Sequence, residues 1–387
     1  MTGIRGRLWQ YFVLSLLGGM SVMIAREAPT PVRGLWVVRH SLTSARSIDE
    51  VVALAEELHF TDLFVQVRGR GDAYYRSRYE PLAEQVPPDF DPLEYLLQRT
   101  AHSRLRIHAW INVFYVWSRE ELPRSRNHPV YRKREWLVYP AHHDPAQPDT
   151  ALQNHRSGEG LFQSPMNPEV QEYLIRIVDD ILSHYPVAGL HLDYIRYPDS
   201  NVDLNPSARK AFKARYIFDP AEFLREPERF ARTYGETGYE VNFSRWGKFL
   251  REGLSEFVRR LAEHVHHRYP GVILSAAVKP DLGRAHWRYY QEWDRWVREG
   301  WLDRALPMNY TPDLRLFLYR TRTMVKAAGV EKLIMGISLY NQSPASVAEK
   351  IRAVQELPLA GFVLFSYTQL KDHPRLRDVC RRVMQSH

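Results

Sequence analysis

From residue 34 onward the chain repeats one alternation, a short apolar run followed by a stretch with helical periodicity. Apolar runs of this kind read as strands buried on both faces, and helices returning over them make the sheet parallel. The runs fall at 34–39, 62–67, 106–112, 189–193, 272–278, 304–309, 332–337 and 361–366. Helix-like sequence follows each, at 48–58, 92–101, 168–184, 243–267, 289–299, 314–327, 346–355 and 375–384. Strand-helix units without an internal repeat or a low-complexity linker predict one closed α/β barrel, a (β/α)₈ TIM barrel over residues 33–387. An open doubly wound sheet is the alternative. It more often carries a glycine-rich phosphate turn after its first strand, and Arg39-His40-Ser41-Leu42 is not one.

Two connections are far longer than ordinary strand-to-helix loops, 113–167 after the third strand and 194–242 after the fourth. Loops leaving strand ends lie on the C-terminal face of a barrel, where active sites are built, so both are expected to wall a cleft. The first carries Trp117, Trp136 and Tyr139. Such rings stack on sugar faces, and they also serve as plain packing.

The amino-terminal residues stand apart. Arg5 and Arg7 precede an apolar run at 11–25, the length of a signal-peptide core and short for a membrane span. Residues 1–32 are therefore expected to be a signal peptide or an N-terminal membrane anchor, placing the barrel in the periplasm, outside the cell, or on the outer face of the membrane. Met23-Ile24-Ala25 and Arg26-Glu27-Ala28 both put a large residue where a small-x-small cleavage site needs a small one, which favours retention as an anchor. One cysteine, Cys380, allows neither an intramolecular disulfide nor a cysteine-based zinc site. The formal charge of +8 is scattered among acids, with no nucleic-acid motif, and implies at most a mild attraction to anionic material such as acidic glycan.

The richest segment is Gly189-Leu190-His191-Leu192-Asp193-Tyr194-Ile195-Arg196-Tyr197-Pro198. Alternation puts His191 and Asp193 on one face, and Asp193 falls where the strand ends. A carboxylate there can attack or steady an anomeric carbon, whose transition state is oxocarbenium-like. Arg196 would favour its charged form, while His191 reads as a packed or orienting group and Tyr197 as a binding phenol. The second strand leads to Arg68 and Asp72. Arg68 offers a planar fork suited to sugar hydroxyls or a carboxylate. The third presents His108, Trp110 and Asn112 on one face, with Trp110 also a candidate for filling the barrel interior. Beyond the sixth strand come Asn309, Tyr310 and Asp313, and Tyr367 follows the eighth; all read as sugar-binding groups. Glycoside cleavage needs a second carboxyl group. Asp281 after the fifth strand and Glu292 at the head of a helix are its candidates, although acids in a first helical turn are also favoured by the helix dipole. No cofactor and no metal are expected: His40 stands alone after strand one, and His191-x-Asp193 is a weak substitute for a His-x-His pair.

Six segments in order resemble the bacterial glycosyl hydrolase-like 10 family, over about residues 33–370. They are Arg33-Gly34-Leu35-Trp36, Val65-Gln66-Val67-Arg68 with Gly71-Asp72-Ala73, His108-Ala109-Trp110-Ile111-Asn112, the run from Gly189 to Pro198, Gln291-Glu292-Trp293 with Trp296, and Pro307-Met308-Asn309-Tyr310. The resemblance implies a (β/α)₈ barrel hydrolase acting on an envelope or extracellular polysaccharide, peptidoglycan glycan strands being one candidate, and it matches Asp193 to the family's strand-four acid. The chain departs from the pattern at Tyr194, where many members carry a second acid, and at Glu292, where many carry Asp. A non-catalytic glycan-binding barrel is the competing expectation, since barrels keep their shape when chemistry is lost.

Overall fold

The computed structural model describes residues 31–144, 146 and 152–385. The expected leader at residues 1–32 falls almost wholly outside the described residues. Among the described residues ten strands run in chain order: β1 Val32–Val37, β2 Asp62–Arg68, β3 Arg106–Asn112, β4 Tyr115–Trp117, β5 Leu161–Phe162, β6 Gly189–Asp193, β7 Ile273–Val278, β8 Arg304–Pro307, β9 Ile334–Ser338 and β10 Gly361–Phe365. Eight form one sheet in the order β8-β7-β6-β3-β2-β1-β10-β9, every pair parallel. Parallel bridges Ala305 to Leu333 and Met308 to Gly336 join its two edges, so the sheet is a nearly closed barrel ringed by helices. β4 and β5 pair antiparallel outside it, within the loop after β3.

The helices begin where the chain carries a capping side chain followed by proline, whose missing N–H costs nothing in a first turn. Asp91 caps α2 (Pro92–Thr100), Asn167 caps α3 (Pro168–His184), Asn205 caps α4 (Pro206–Tyr216), Asp219 caps α5 (Pro220–Arg225) and Ser343 caps α11 (Pro344–Gln355). Together with α1 (Ala45–Glu57), α6 (Pro227–Tyr234), α7 (Glu236–Arg268), α8 (Leu282–Arg288), α9 (Trp293–Arg298), α10 (Leu314–Ala328), α12 (Tyr367–Asp372) and α13 (Pro374–Gln385), they surround the barrel. The connection after the fourth barrel strand is thus itself helical, through α4, α5 and α6, and α7 begins at Glu236 rather than at 243. The helix expected at 289–299 is interrupted: Tyr290 takes a positive φ of 53°. The fully buried Gln291 accepts from the Lys279 N–H at 2.9 Å, so a side-chain plug separates α8 from α9.

Two apolar layers result. Outward strand residues and the inner faces of the helices make the main core. Inside the barrel Val32, Trp36, Phe64, Trp110, Leu306, Ile334 and Val363 form a separate cluster. This plug of side chains closes the barrel below and leaves its C-terminal mouth as the place where polar groups gather.

Candidate active site

The mouth holds a cleft of about 340 Å³. Its walls come from the ends of β1, β2, β3, β6, β7 and β10 and from residues just past β8, which together contribute Trp36, Gln66, Trp110, Asn112, Asp193, Lys279, Tyr310 and Phe365. Tyr115, Glu159, Tyr194 and Arg196 close it from the two long loops. A larger groove, about 710 Å³ between Trp136 and Arg176, lies on the flank of α3 and receives no barrel strand end.

Asp193 is placed by β6, whose register sets it beside Asn112 of β3. Its Oδ1 accepts the Tyr194 N–H at 2.7 Å, and Tyr194 takes the left-handed conformation, φ 51°. An aromatic residue held there costs about 1 kcal/mol or more. The turn swings the Tyr194 ring onto Tyr115, stacked at 4.5 Å. Burial pushes the Asp193 carboxyl up to about 6, against the opposing pull of the Arg196 and Lys279 cations.

Glu159 is the second carboxylate of this cleft, and the sequence reading missed it. It sits at the tip of a two-residue turn in which Ser157 and Gly160 exchange hydrogen bonds of 3.0 and 2.8 Å. Gly160 has φ 142°, and a Cβ there would lie 2.3 Å from the Trp117 carbonyl oxygen, so only glycine lets the turn press against β4. The Tyr115 hydroxyl donates to the Glu159 carbonyl at 3.2 Å and fixes the tip over the cleft. Burial would raise the Glu159 carboxyl, but the Arg196 charge and hydrogen bonds outweigh it and hold the group below the ordinary glutamate range. Lys279 sits with its Nζ 4.6 Å from the centre of the Tyr289 ring. Burial, then repulsion from Arg196, lowers its ammonium to about 8 despite the nearby acids.

The cleft gathers some expected residues and not others. Asp193, Trp110, Asn112, Arg196 and Tyr310 line it. Asn112 is held at both ends of its amide, its Oδ1 accepting from Trp110 Nε1 at 3.1 Å and Gln66 Nε2 at 3.2 Å while its Nδ2 donates to the Gly69 carbonyl at 2.7 Å. His191 lies beneath the floor. Trp36 Nε1 donates to its Nε2 at 3.1 Å, so its proton is on Nδ1, facing Ser275 Oγ at 2.9 Å. Burial, with His108, pushes the ring well below the usual histidine range. It is therefore a neutral group that orients Trp36.

The remaining expectations are corrected. Asp281 accepts the Arg284 N–H at 2.9 Å as the cap of α8, and Glu292 points at α7, accepting from Ser255 Oγ at 3.0 Å; neither lines the cleft. Arg68 is sealed in the core against Glu80, with Nε 3.0 and 2.9 Å from its two oxygens. His108 is buried low in the barrel, Nε2 at 2.8 Å from Asp62. Asp72 accepts the Arg70 N–H at 2.7 Å in a neighbouring groove. Tyr197 packs edge-on against Tyr290, Asn309 donates to the Phe317 carbonyl at 3.0 Å, Asp313 caps α10, and Tyr367 is buried at the start of α12. Signals for the missed groups were present: Lys279 directly follows its strand run, and Glu159 stands between two glycines. Among the described residues no group of three or more His, Cys, Asp or Glu is placed to hold a metal ion.

Residues 31–344 match the family described as glycosyl hydrolase-like 10. Among curated proteins the chain is similar to the glycosyl hydrolase YngK of Bacillus subtilis, 20% identical over 77% of this chain. It is also similar to the glycosyl hydrolase DigH of Escherichia coli, 23% identical over 74% of this chain. The chain spans 59% of the length of the first and 67% of the second. Among solved structures the glycoside hydrolase domain of PgaB from Bordetella bronchiseptica superposes with a TM-score of 0.68 at 13% identity, covering 92% of this chain and 99% of that one. A β-galactosidase from Bacillus circulans gives 0.64 at 11%, covering 92% and 56%. At such identities these likenesses speak to the barrel fold. The family match spans most of the chain, and the protein belongs to the glycosyl hydrolase-like 10 family.

Proposed function

We propose that the protein is a glycoside hydrolase that cleaves O-glycosidic bonds in an extracellular or cell-envelope polysaccharide, with peptidoglycan glycan strands a candidate substrate. One observation carries the reading: a single aromatic-walled cleft holds two carboxyl groups whose environments push their proton affinities apart, Asp193 up to about 6 and Glu159 down. Pairs separated in this way divide the work of acid and base. Asp193 is the proton donor to the leaving oxygen. Glu159, held ionised by Arg196, is the carboxylate that steadies positive charge at the anomeric carbon or activates the attacking water. Trp36, Trp110 and Tyr310 offer the apolar faces that pack on sugar rings. Export is part of the proposal, supported by the order of charge and apolar residues between Arg5 and Ala25.

The test is reducing-end release by the purified full chain from a glycan panel that includes peptide-free peptidoglycan strands and neutral polysaccharides, beside Asp193→Ala. Release by the wild type that disappears in the variant supports the reading. Binding without release from any glycan would replace it with a non-catalytic glycan-binding barrel.

A further inference from the structure

We propose that Arg39 and Arg70 form a subsite for an acidic substituent, a carboxylate or a sulfate, on the glycan held in the Asp193 cleft; the inference rests on that cleft being a glycan site.

Arg39 follows β1 and lines the cleft itself. Arg70 lies just beyond β2, 6% exposed, and with Arg119, Asp72, Trp117 and His128 lines the adjoining groove. Between them runs Gly69, where a Cβ would fall 2.4 Å from Arg39 Cδ, so the Arg39 side chain lies directly along this glycine. The buried guanidinium groups of Arg68, in the core, and Arg196, at the cleft, each have a carboxylate, Glu80 and Glu159. Neither Arg39 nor Arg70 makes an ion pair among the described residues. Arg39 Nη1 donates to the neutral Gln66 Oε1 at 2.9 Å, and its Nε is buried without a partner. Arg70 Nη1 donates to Ser118 Oγ at 3.2 Å, its Nε is also buried and unpartnered, and its guanidinium lies 5.2 Å from the centre of the Trp117 ring. Asp72 is the acid in electrostatic reach, and its Oδ1 is engaged by the Arg70 backbone N–H at 2.7 Å.

Arg70 is buried and Arg39 half-buried, each with a buried Nε that has no partner; buried donors and close like charges left unmatched are costly, and an anion supplied by a ligand removes that cost. The strain is visible at Arg70, where burial and then the Arg39 charge lower the proton affinity. A planar guanidinium with free N–H groups matches the oxygens of a carboxylate or sulfate. Placed beside the glycosidase cleft, the pair would read the charge of a sugar next to the one being cleaved.

The experiment measures binding calorimetrically with the full-length Asp193→Asn protein, which separates affinity from turnover. The probes are peptide-free peptidoglycan strands, the same strands with carboxylates chemically reduced to alcohols, and chitin oligomers with and without 6-sulfate. An acidic probe is expected to bind roughly ten-fold or more tightly than its uncharged counterpart, the scale of a charge-assisted hydrogen bond. The carboxylate and sulfate arms tell which group is read. Arg39→Gln and Arg70→Gln should each remove the difference in affinity between charged and uncharged probes, and Gly69→Ala, which displaces Arg39, should behave like Arg39→Gln. Arg39→Lys guards against misfolding by restoring part of the preference. Equal affinity for charged and uncharged probes, a preference that survives both Gln substitutions, or no binding of any acidic probe overturns the inference. Reducing-end release by the wild type without any charge preference would remove the subsite and leave the hydrolase; a charge preference without release would do the reverse.

Discussion

Both carboxylate oxygens of Glu159 accept from one nitrogen, Nη2 of Arg196, at 3.0 and 2.9 Å. The contact joins two long loops, one leaving the third barrel strand and one the fourth, in the cleft that Asp193 also lines. Arg196 is itself held between rings, its guanidinium 4.6 Å from the centre of Tyr194 and 5.1 Å from that of Tyr289. A guanidinium caged in this way gives Glu159 a fixed position and a fixed charge, the two things an ionised catalytic group requires.

Removing that charge should be costly to turnover and mild for the fold, because the side chain of Glu159 is 41% exposed. Glu159→Gln is expected to lower kcat by roughly 10²-fold or more, with little change in the melting temperature. Arg196→Gln should leave Glu159 present but less acidic. Its signature is an acidic limb of the rate profile displaced to higher pH. Retention of full activity by Glu159→Gln would remove Glu159 from the mechanism.

The pH profile follows from the same two groups. Glu159 must be ionised, so activity rises as pH passes its depressed value, below the ordinary 4.5. Asp193 must hold its proton, so activity falls as pH climbs past about 6. The expected profile is a bell with its maximum between those limits. Lys279 lowers the Asp193 value by its charge, so Lys279→Met should move the alkaline limb upward. A profile still rising from pH 6 to 8 would contradict the assignment of Asp193 as the acid.

The barrel was legible because its signal is local. Each strand run is short and apolar, and alternation correctly turned His191 and Asp193 to the inside. Groups placed by long-range folding were not legible. Glu159 reaches the cleft only because the 113–167 connection folds back on itself so that β4 and β5 pair antiparallel, and no periodicity announces where its turn will point. Arg68 misled for a different reason. Alternation from Asp62, Phe64 and Gln66 would send it inward, but the strand loses register between Gln66 and Arg68, pairing Arg68 with the outward Ile111. Asp281 and Glu292 were acids at helix starts, where capping is the commoner use, and the break at Tyr290 turned Glu292 away from the mouth.

Arg68 accordingly acts on stability. It is fully buried, paired with Glu80 at 2.8 Å and donating to the Val113 carbonyl at 3.1 Å, while the Tyr173 hydroxyl donates to Glu80 at 2.7 Å. Removing one partner leaves a buried charge unmatched, which costs about 3–5 kcal/mol. Arg68→Ala should therefore unfold at markedly lower urea than the wild type and lose activity only in step with folded protein. An Arg68→Ala protein of normal stability with impaired substrate affinity would return Arg68 to the binding groups.

Asp193 makes the opposite trade. A carboxyl whose affinity for its proton is raised by folding, from 3.8 to about 6, adds stability that is complete at acid pH and is lost as pH climbs through the folded value. At pH 8 the ionised group is held in a buried site against its preference, at a cost of roughly 3 kcal/mol from a displacement of about two pKa units. Asn keeps the shape and has no charge to bury. Asp193→Asn is therefore expected to be inactive yet more resistant to urea than the wild type at pH 8, with the difference shrinking towards zero near pH 4. Urea titrations of both proteins across that range decide the matter. A variant that is less stable than the wild type at pH 8 would mean that Arg196, Lys279 and the Tyr194 N–H compensate the buried charge in full, and the proton would then have to be supplied by another group.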